Sequence, residues 1–265
     1  MNKTHEIIRY LAIAFAICIV LGIVQGIVGV MQFVTLSKED KVTETKKLDL
    51  KDESSESLFI SLGATNLVVK IGDELKATTN NKNIIVKNNG NSLRITEKKH
   101  KYFNKNNYKL EITIPEDKIF DLVHIEAGAG KVDLSGITSE ELELELGAGK
   151  VDIKDFDILN KTKIEAGAGQ VNIKKSTFKN SKFDLGVGEV NIEANLVKKA
   201  DIEAGIGSVN IYLVGSSEDY SFDVDKGLGS ITIDGTKKDE GTYGEGENEI
   251  HIDGGIGSIN VNFKD

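Results

Sequence analysis

The chain has 265 residues, a net charge of −9, one cysteine, one proline and no tryptophan. Residues 1–36 carry one net positive charge, which leaves −10 on the remainder. This balance excludes a generic polyanion-binding surface, which needs a surplus of lysine and arginine, so no nucleic-acid partner is expected. Cys18 lies in an apolar N-terminal run, so the rest of the chain has no thiol for a disulfide, a cysteine zinc site or a thiol nucleophile.

The first predicted element is an apolar segment long enough to cross a lipid bilayer. No charged residue occurs from Leu11 to Val34, and about 20 apolar residues span a hydrocarbon core of roughly 30 Å. The run is longer than a signal-peptide core of about 7–15 residues, and no small-x-small cleavage site follows it. We therefore predict a short tail (1–9) and an uncleaved transmembrane helix (10–36) in the bilayer.

The flanking charges do not decide the orientation of this helix. Lys3 and Arg9 precede it, whereas a mixture of lysines and acidic residues follows it. A simple Lys/Arg count would place the large domain inside, but long domains translocate largely regardless of charge. We expect a single-pass protein of the cell membrane with residues 37–265 extracytoplasmic, and the absence of cysteine from that part agrees with this side.

Small residues recur every four positions along the predicted helix, at Ala14, Cys18, Gly22 and Gly26. Such a face lets two helices approach closely and predicts self-association or contact with a membrane partner. The alternative is that glycine and alanine are simply frequent in membrane helices.

The next two segments are a polar stalk and a β-rich lead-in. Residues 37–57 are mostly charged or hydroxyl-bearing and show no hydrophobic period, which predicts a solvated spacer. Residues 58–123 alternate apolar and polar side chains, which predicts strands. Asn88-Asn89-Gly90-Asn91 marks a turn between two of these strands.

Residues 124–265 contain seven copies of a Gly-x-Gly repeat. The first glycines are separated by 19, 20, 19, 19, 22 and 28 residues. In a typical copy, Ile-x-Ala precedes the glycines and x-Val-x-Ile follows them. The glycines predicted to be structural are Gly128, Gly130, Gly147, Gly149, Gly167, Gly169, Gly186, Gly188, Gly205, Gly207, Gly227, Gly229, Gly255 and Gly257.

The repeat predicts two short strands that meet at a glycine corner. Apolar residues alternate on one face of each strand, and the corner needs unusual φ or a close backbone approach. One copy cannot bury its apolar face alone, so stacked copies would form a continuous core. We predict an all-β fold, a single-stranded β-solenoid with rungs of about 19–20 residues. An antiparallel meander with Gly-x-Gly hairpins is the alternative.

The repeats also resemble ligand-binding motifs. Gly-Ala-Gly-Lys at 128–131 lacks the earlier glycine and the following Ser/Thr of a phosphate loop. Calcium-binding repeats have a nine-residue period, which this chain lacks. An outward acidic column is expected, screened by salt; its predicted members are Glu126, Glu145, Glu165, Asp184, Glu203 and Asp223.

No catalytic, cofactor-binding or metal-binding residue is predicted. The four histidines, His5, His100, His124 and His251, are dispersed and make no metal-ligand spacing. The insertion at 234–249 is rich in glycine and acid around Tyr243. It either carries a binding function or covers the terminal edge of the stack.

The combination of motifs resembles a known family. The segment Leu62 to Asp73, then Glu111-Ile-Thr-Ile-Pro115, then serial Gly-Ala-Gly-x-Val-x-Ile rungs is similar to a bacterial "putative adhesin" β-strand-repeat family of unknown function. Related domains occur in envelope-stress regulators and cell-wall-active antibiotic response proteins. Over roughly residues 55–265 the resemblance implies a β-solenoid in the cell envelope and carries over no site residue.

The expected function is therefore that of a membrane-anchored, non-enzymatic adhesion or scaffolding module. Its expected partner, besides the bilayer, is an unidentified envelope protein or surface ligand. The competing hypothesis is an envelope-stress sensor or regulatory subunit that acts through its transmembrane helix on a membrane partner.

Overall fold

The computed structural model describes residues 44–50, 55–98 and 107–264. The predicted transmembrane helix and its small-residue face lie outside this range. Among the described residues, no helix is long and apolar enough to cross a membrane.

The described residues confirm the all-β prediction. They form fifteen strands that belong to one sheet, with one short 3-10 helix at Ser217–Asp219. The strands are β1 (Lys46–Leu48), β2 (Ser57–Leu62), β3 (Asn66–Gly72), β4 (Lys76–Thr79), β5 (Ile84–Asn88), β6 (Ser92–Glu97), β7 (Lys109–Pro115), β8 (Ile119–Ser135), β9 (Thr138–Lys154), β10 (Asp157–Val214), β11 (Tyr220–Lys226), β12 (Ser230–Ile233), β13 (Thr236–Lys238), β14 (Gly241–Tyr243) and β15 (Asn248–Lys264).

Successive repeats pair in parallel and in register. Ile125 in β8 lies opposite Leu144 in β9, which lies opposite Ile164 in β10. The register continues through the corners, where Gly130 pairs with Gly149. Parallel pairing at the repeat period is the arrangement of stacked solenoid rungs, and the antiparallel meander is therefore wrong for these repeats.

The C-terminal rungs do not stack in chain order. Strand β15 pairs with β10 on one side and with β11 and β12 on the other. Ile252 of β15 thus lies between Ile202 and Val224. The last repeat in sequence occupies the penultimate place in the stack, and the Gly227 repeat is outermost.

The N-terminal end uses the same inversion. Strands β2 and β3 pair with β8 on one side, and with β6 and β7 respectively on the other. The outer rungs are then covered by antiparallel strands: β4 and β5 at this end, β13 and β14 at the other. Covered outer strands offer no free parallel edge for a further rung.

The structure moves one predicted boundary and decides between the two roles considered for the insertion at 234–249. The sheet begins with β1, inside the predicted stalk, because Leu48 and Leu50 alternate with polar residues and are buried. The 234–249 insertion contributes β13 and β14, which lie against the terminal rung. In this insertion Tyr243 donates a hydrogen bond to the carbonyl of Asp239 at 3.0 Å. The insertion therefore covers the edge.

One continuous hydrophobic core runs through the described rungs. Near its middle the rings of Phe178 and Phe183 meet edge to face, with centroids 5.9 Å apart. Thr162 and Ser181 are also buried, and neither hydroxyl has a hydrogen-bond partner among the described residues. The core thus carries two desolvated hydroxyls, each of which costs free energy.

A ladder of side-chain amides runs along the face after the corner. Asn191 donates to Asn172 at 3.1 Å and accepts from Asn210 at 3.0 Å. The ladder continues to Asp152 at one end and, through Asn260, to Thr232 at the other. Each bond links neighbouring rungs, so the ladder stabilises the stack and its register.

Candidate functional site: a glycine-floored groove with an acidic wall

The Gly-x-Gly corners bring the backbones of successive rungs into close contact. A Cβ on Gly147 would lie 2.1 Å from the carbonyl oxygen of Gly128. The second glycine adds a conformational requirement: Gly149 has φ +146°, and its Cβ would lie 2.0 Å from the carbonyl oxygen of Gly130. No other residue fits these positions without separating the rungs. The corners therefore form two tracks of bare backbone along the stack.

An open groove follows the first of these tracks. Its volume is about 1240 Å³, and the first glycines and the residues before them form its floor. One side consists of carboxylates, here named the acidic wall: Glu126, Glu145, Glu165, Asp184, Glu203 and Asp253. Glu97, Lys98 and Tyr108 line the N-terminal end. The groove extends across six consecutive rungs of the repeat, so it is a property of the stack and not of any single copy.

The parallel register builds the acidic wall. Glu145 lies opposite Glu126 and Glu165, and Asp253 lies opposite Glu203. The prediction of Asp223 as the sixth member of this column is wrong. It lies opposite His251 in the neighbouring column, and Asp225 continues the wall beyond Asp253. The reason is spacing, since every wall residue precedes its first glycine by two positions, as Asp225 precedes Gly227.

Lysines of the neighbouring column form ion pairs with the carboxylates in the middle of the acidic wall. Lys163 contacts Glu165, while Lys182 reaches Asp184 at 3.3 Å and Glu203 at 2.7 Å. The hydrogen bond from Lys182 lowers the pKa of Glu203. These pairs are exposed and contribute little to stability. Their consequence is electrostatic, because each ammonium group offsets part of the negative charge of the wall.

A histidine takes the place of lysine near the N-terminal end. His124 Nδ1 lies 3.1 Å from Glu143 Oε2, and its Nε2 lies 3.2 Å from Glu126 Oε1. Burial opposes protonation of His124, but the hydrogen bonds to Glu143 and Glu126 outweigh it and raise the pKa. A hydrogen bond from Ser61, then that of His124, lowers the pKa of Glu126. Glu145 completes a cluster with His124 and Glu126 whose ligand atoms lie within 4.8 Å of one another.

Sequence reasoning treated His124 as one of four dispersed histidines and missed this cluster. A signal was present: His124-x-Glu126 is followed 19 residues later by Glu143-x-Glu145. In a parallel stack of that period, these two three-residue segments lie side by side, and their charged side chains share one face.

The residue between the two corner glycines forms an apolar row. The residue at this position becomes larger along the stack. In stacking order the row consists of Ala129, Ala148, Ala168, Val187, Ile206, Ile256 and Leu228. Leu228 on the outermost rung is 86% exposed, and Ile256 is 46% exposed. Most of these residues line a narrow cavity of about 40 Å³ under the corners. The side chains of the row are thus larger and more exposed toward Leu228.

Several solved structures are similar to this chain. A "putative cell adhesion protein" from Clostridium sporogenes is 19% identical, with coverage of 83% of this chain and 98% of that one and a TM-score of 0.36. A "putative adhesin" from Bacteroides fragilis is 14% identical, with coverage of 84% and 98% and a TM-score of 0.38. A "putative lipid binding protein" from Parabacteroides distasonis is 17% identical, with coverage of 82% and 96% and a TM-score of 0.39. TM-scores this low carry no inference about this chain.

No curated protein matches the chain. The family comparison is specific: the profile of the Toastrack DUF4097 family matches residues 45–243, from β1 to β14. That range covers the lead-in, six of the seven Gly-x-Gly repeats and the strands that cover the terminal rung. The chain therefore belongs to the Toastrack DUF4097 family.

Proposed function

We propose that this chain is a membrane-anchored, non-enzymatic module of the cell envelope that acts in adhesion or scaffolding. In this proposal the predicted helix at 10–36 anchors the stack. The groove along the acidic wall then engages a cationic, extended ligand, such as a lysine-rich peptide or an amine-bearing polymer.

The observation that carries this proposal is the continuity of the groove over many rungs. Opposing wall residues lie about 4.8 Å apart along the stack. The six wall carboxylates outnumber Lys163 and Lys182, the lysines that pair with them, so the groove keeps a negative potential. The glycines of the floor have no side chains, so an extended chain can approach the backbone closely at each of them. A long ligand would thus meet the same contact repeatedly, and repeated weak contacts add up to useful affinity.

The repetition also argues against catalysis. A catalytic site combines a nucleophile, a base and a charge-stabilising group at one place. The groove instead presents a carboxylate on each rung, and glycine, alanine and leucine residues form its floor. This pattern is typical of an extended binding surface.

The test measures binding of decalysine by the full-length chain in detergent micelles. The groove variant carries Glu165→Gln and Glu203→Gln, and the matched control carries Glu140→Gln and Glu189→Gln. All four side chains lie on rungs of the repeat stack, but only the first pair lines the groove. We expect at least fivefold weaker binding for the groove variant and less than a twofold change for the control. Equal losses would show that only net charge matters and would refute the groove as the site.

Anchoring and sidedness are tested separately. Protease added to intact cells should remove residues 37–265 and leave a membrane-embedded fragment. Crosslinking in intact cells, followed by identification of the captured molecule, would then identify the partner. Protection of the domain until the membrane is opened would contradict an extracytoplasmic position.

The small-residue face of the predicted helix supports a second candidate function, an envelope-stress sensor or regulatory subunit. Substitution of Gly22 and Gly26 by leucine should then abolish signalling, because bulky side chains prevent close helix approach. Unchanged signalling would refute this candidate and leave adhesion or scaffolding.

A further inference from the structure

We propose that His124, Glu126 and Glu145 form a binding site for a divalent transition-metal ion of the zinc class. The site lies near the N-terminal end of the acidic wall. The proposal is independent of the adhesion role, because it requires one ion at one rung pair and no extended ligand.

The positions of the donor atoms fit such an ion. His124 Nε2 and Glu126 Oε1 are 3.2 Å apart, close to the roughly 3.3 Å that separates two ligand atoms when zinc bonds of about 2.0 Å meet at a tetrahedral angle. Glu145 supplies a third donor, and all three ligand atoms lie within 4.8 Å of one another. The exposed Glu145 side chain can rotate to close the remaining distance. Imidazole nitrogen and carboxylate oxygen are both zinc ligands, and three protein ligands leave the fourth position to solvent.

Glu143 is not one of the three ligands, but its contact with His124 supports the site. Metal-bound histidines almost always donate their other ring N–H to a carboxylate or carbonyl, which orients the ring. Here Glu143 Oε2 lies 3.1 Å from Nδ1, on the side of the imidazole away from Glu126. The ring is further held beside Phe59, with centroids 6.0 Å apart, and only 18% of the side chain is exposed.

The surroundings also hold the second ligand in place. Ser61 donates a hydrogen bond to Glu126 Oε2 at 2.8 Å, which leaves Glu126 Oε1 beside His124 Nε2. A metal ion bound there would take the place of a proton on Nε2, and that proton would pass to solvent.

Other positions along the wall lack this combination. At Glu165 and Glu203 the neighbouring column supplies Lys163 and Lys182, whose ammonium groups occupy the space between carboxylates. His251 lies in the same column near the other end of the stack. Its nitrogens are 3.4 Å from Asp223 and 3.8 Å from Asp225, and this group does not form a compact three-ligand cluster among the described residues. His251 is therefore a matched control.

The experiment titrates Zn²⁺ into the full-length chain in micelles by calorimetry, and repeats the titration with Co²⁺ by visible absorption. We expect one ion per chain and a Co²⁺ spectrum of low coordination number. His124→Ala should weaken binding at least tenfold, and Glu143→Gln about tenfold with unchanged stoichiometry. His251→Ala should have no effect.

Two results would overturn the site. The first is equal Zn²⁺ affinity in wild type and His124→Ala. The second is an equal loss in His124→Ala and His251→Ala, which would show a diffuse attraction to the acidic surface. Glu145→Gln serves as a further variant, because this side chain is exposed and the substitution keeps its size. It should weaken binding at least tenfold while the circular dichroism spectrum stays that of the wild type.

Discussion

The corner glycines lead to a stability prediction that separates two physical effects. Gly169 lies near the middle of the stack with φ +140°, and a Cβ there would lie 1.9 Å from the carbonyl oxygen of Gly149. Substitution by alanine therefore imposes both a left-handed backbone on a residue with a side chain and a direct overlap with the neighbouring rung. Gly235 offers a control, because it has φ +68° and no atom lies within 4 Å of the place that a Cβ would take.

The magnitude follows from these contacts. Positive φ costs an L-residue about 1–2 kcal/mol. Relief of the overlap must separate the rungs by about 1 Å and so weakens two or three cross-rung hydrogen bonds, each worth about 1 kcal/mol. Alanine recovers about 0.4–1 kcal/mol by restricting the unfolded chain. We expect Gly169→Ala to lower the free energy of unfolding by about 3 kcal/mol and Gly235→Ala by about 1 kcal/mol.

Urea unfolding of the full-length chain in micelles, followed by circular dichroism in the β region, measures both changes. If Gly169→Ala fails to fold while Gly235→Ala folds, that result would also support a large contribution of the corner contact to stability. Equal unfolding midpoints for the two variants would refute the reasoning, because they would show that the rung-to-rung contact at the corner contributes nothing.

Three further predictions use the same unfolding assay. Thr162→Val should raise stability by about 1 kcal/mol, because it removes a buried hydroxyl without a partner and keeps the shape; a loss of stability would contradict this. Asn191→Ala should lower stability by about 1 kcal/mol, since its amide links two neighbouring rungs; no change would show that the ladder is energetically neutral. Hydrogen bonds from Lys109 and Lys70 lower the pKa of Glu111 to about 2 from 4.5. Its contribution is therefore present above pH 4.5 and lost as the pH falls toward 2, so Glu111→Gln should have a flatter stability profile there than wild type, and parallel profiles would refute the assignment.

Much of the fold was predictable because the repeat carries its own register. The 19-residue step from Gly128 to Gly147 predicts which residues lie opposite each other once the strands are parallel. Alternation then predicts the burial of residues such as Ile125 and Val132 and the outward position of Glu126. The acidic column follows from these two facts alone.

The stacking order at the ends was not predictable from the same pattern. All repeats present equivalent edges, so a local motif does not say that Ile202 pairs with Ile252 of the last repeat and not with Val224 of the next repeat along the chain. That choice depends on the insertions, which supply the covering strands β13 and β14 to the Gly227 rung. The groove and the His124 cluster also needed the structure, because they combine residues 19 positions apart that carry no known motif.

Crosslinking tests the stacking that underlies both the groove and its acidic wall. In a Cys18→Ser background, cysteines at Glu203 and Asp253 would occupy directly opposed positions, about 4.8 Å apart and within disulfide range. Cysteines at Glu203 and Asp225 would lie two rungs apart, beyond that range. The structure predicts rapid disulfide formation in the first pair and none in the second, measured on the full-length chain under mild oxidation. A disulfide in the second pair and none in the first would show that the rungs stack in chain order and would contradict the account.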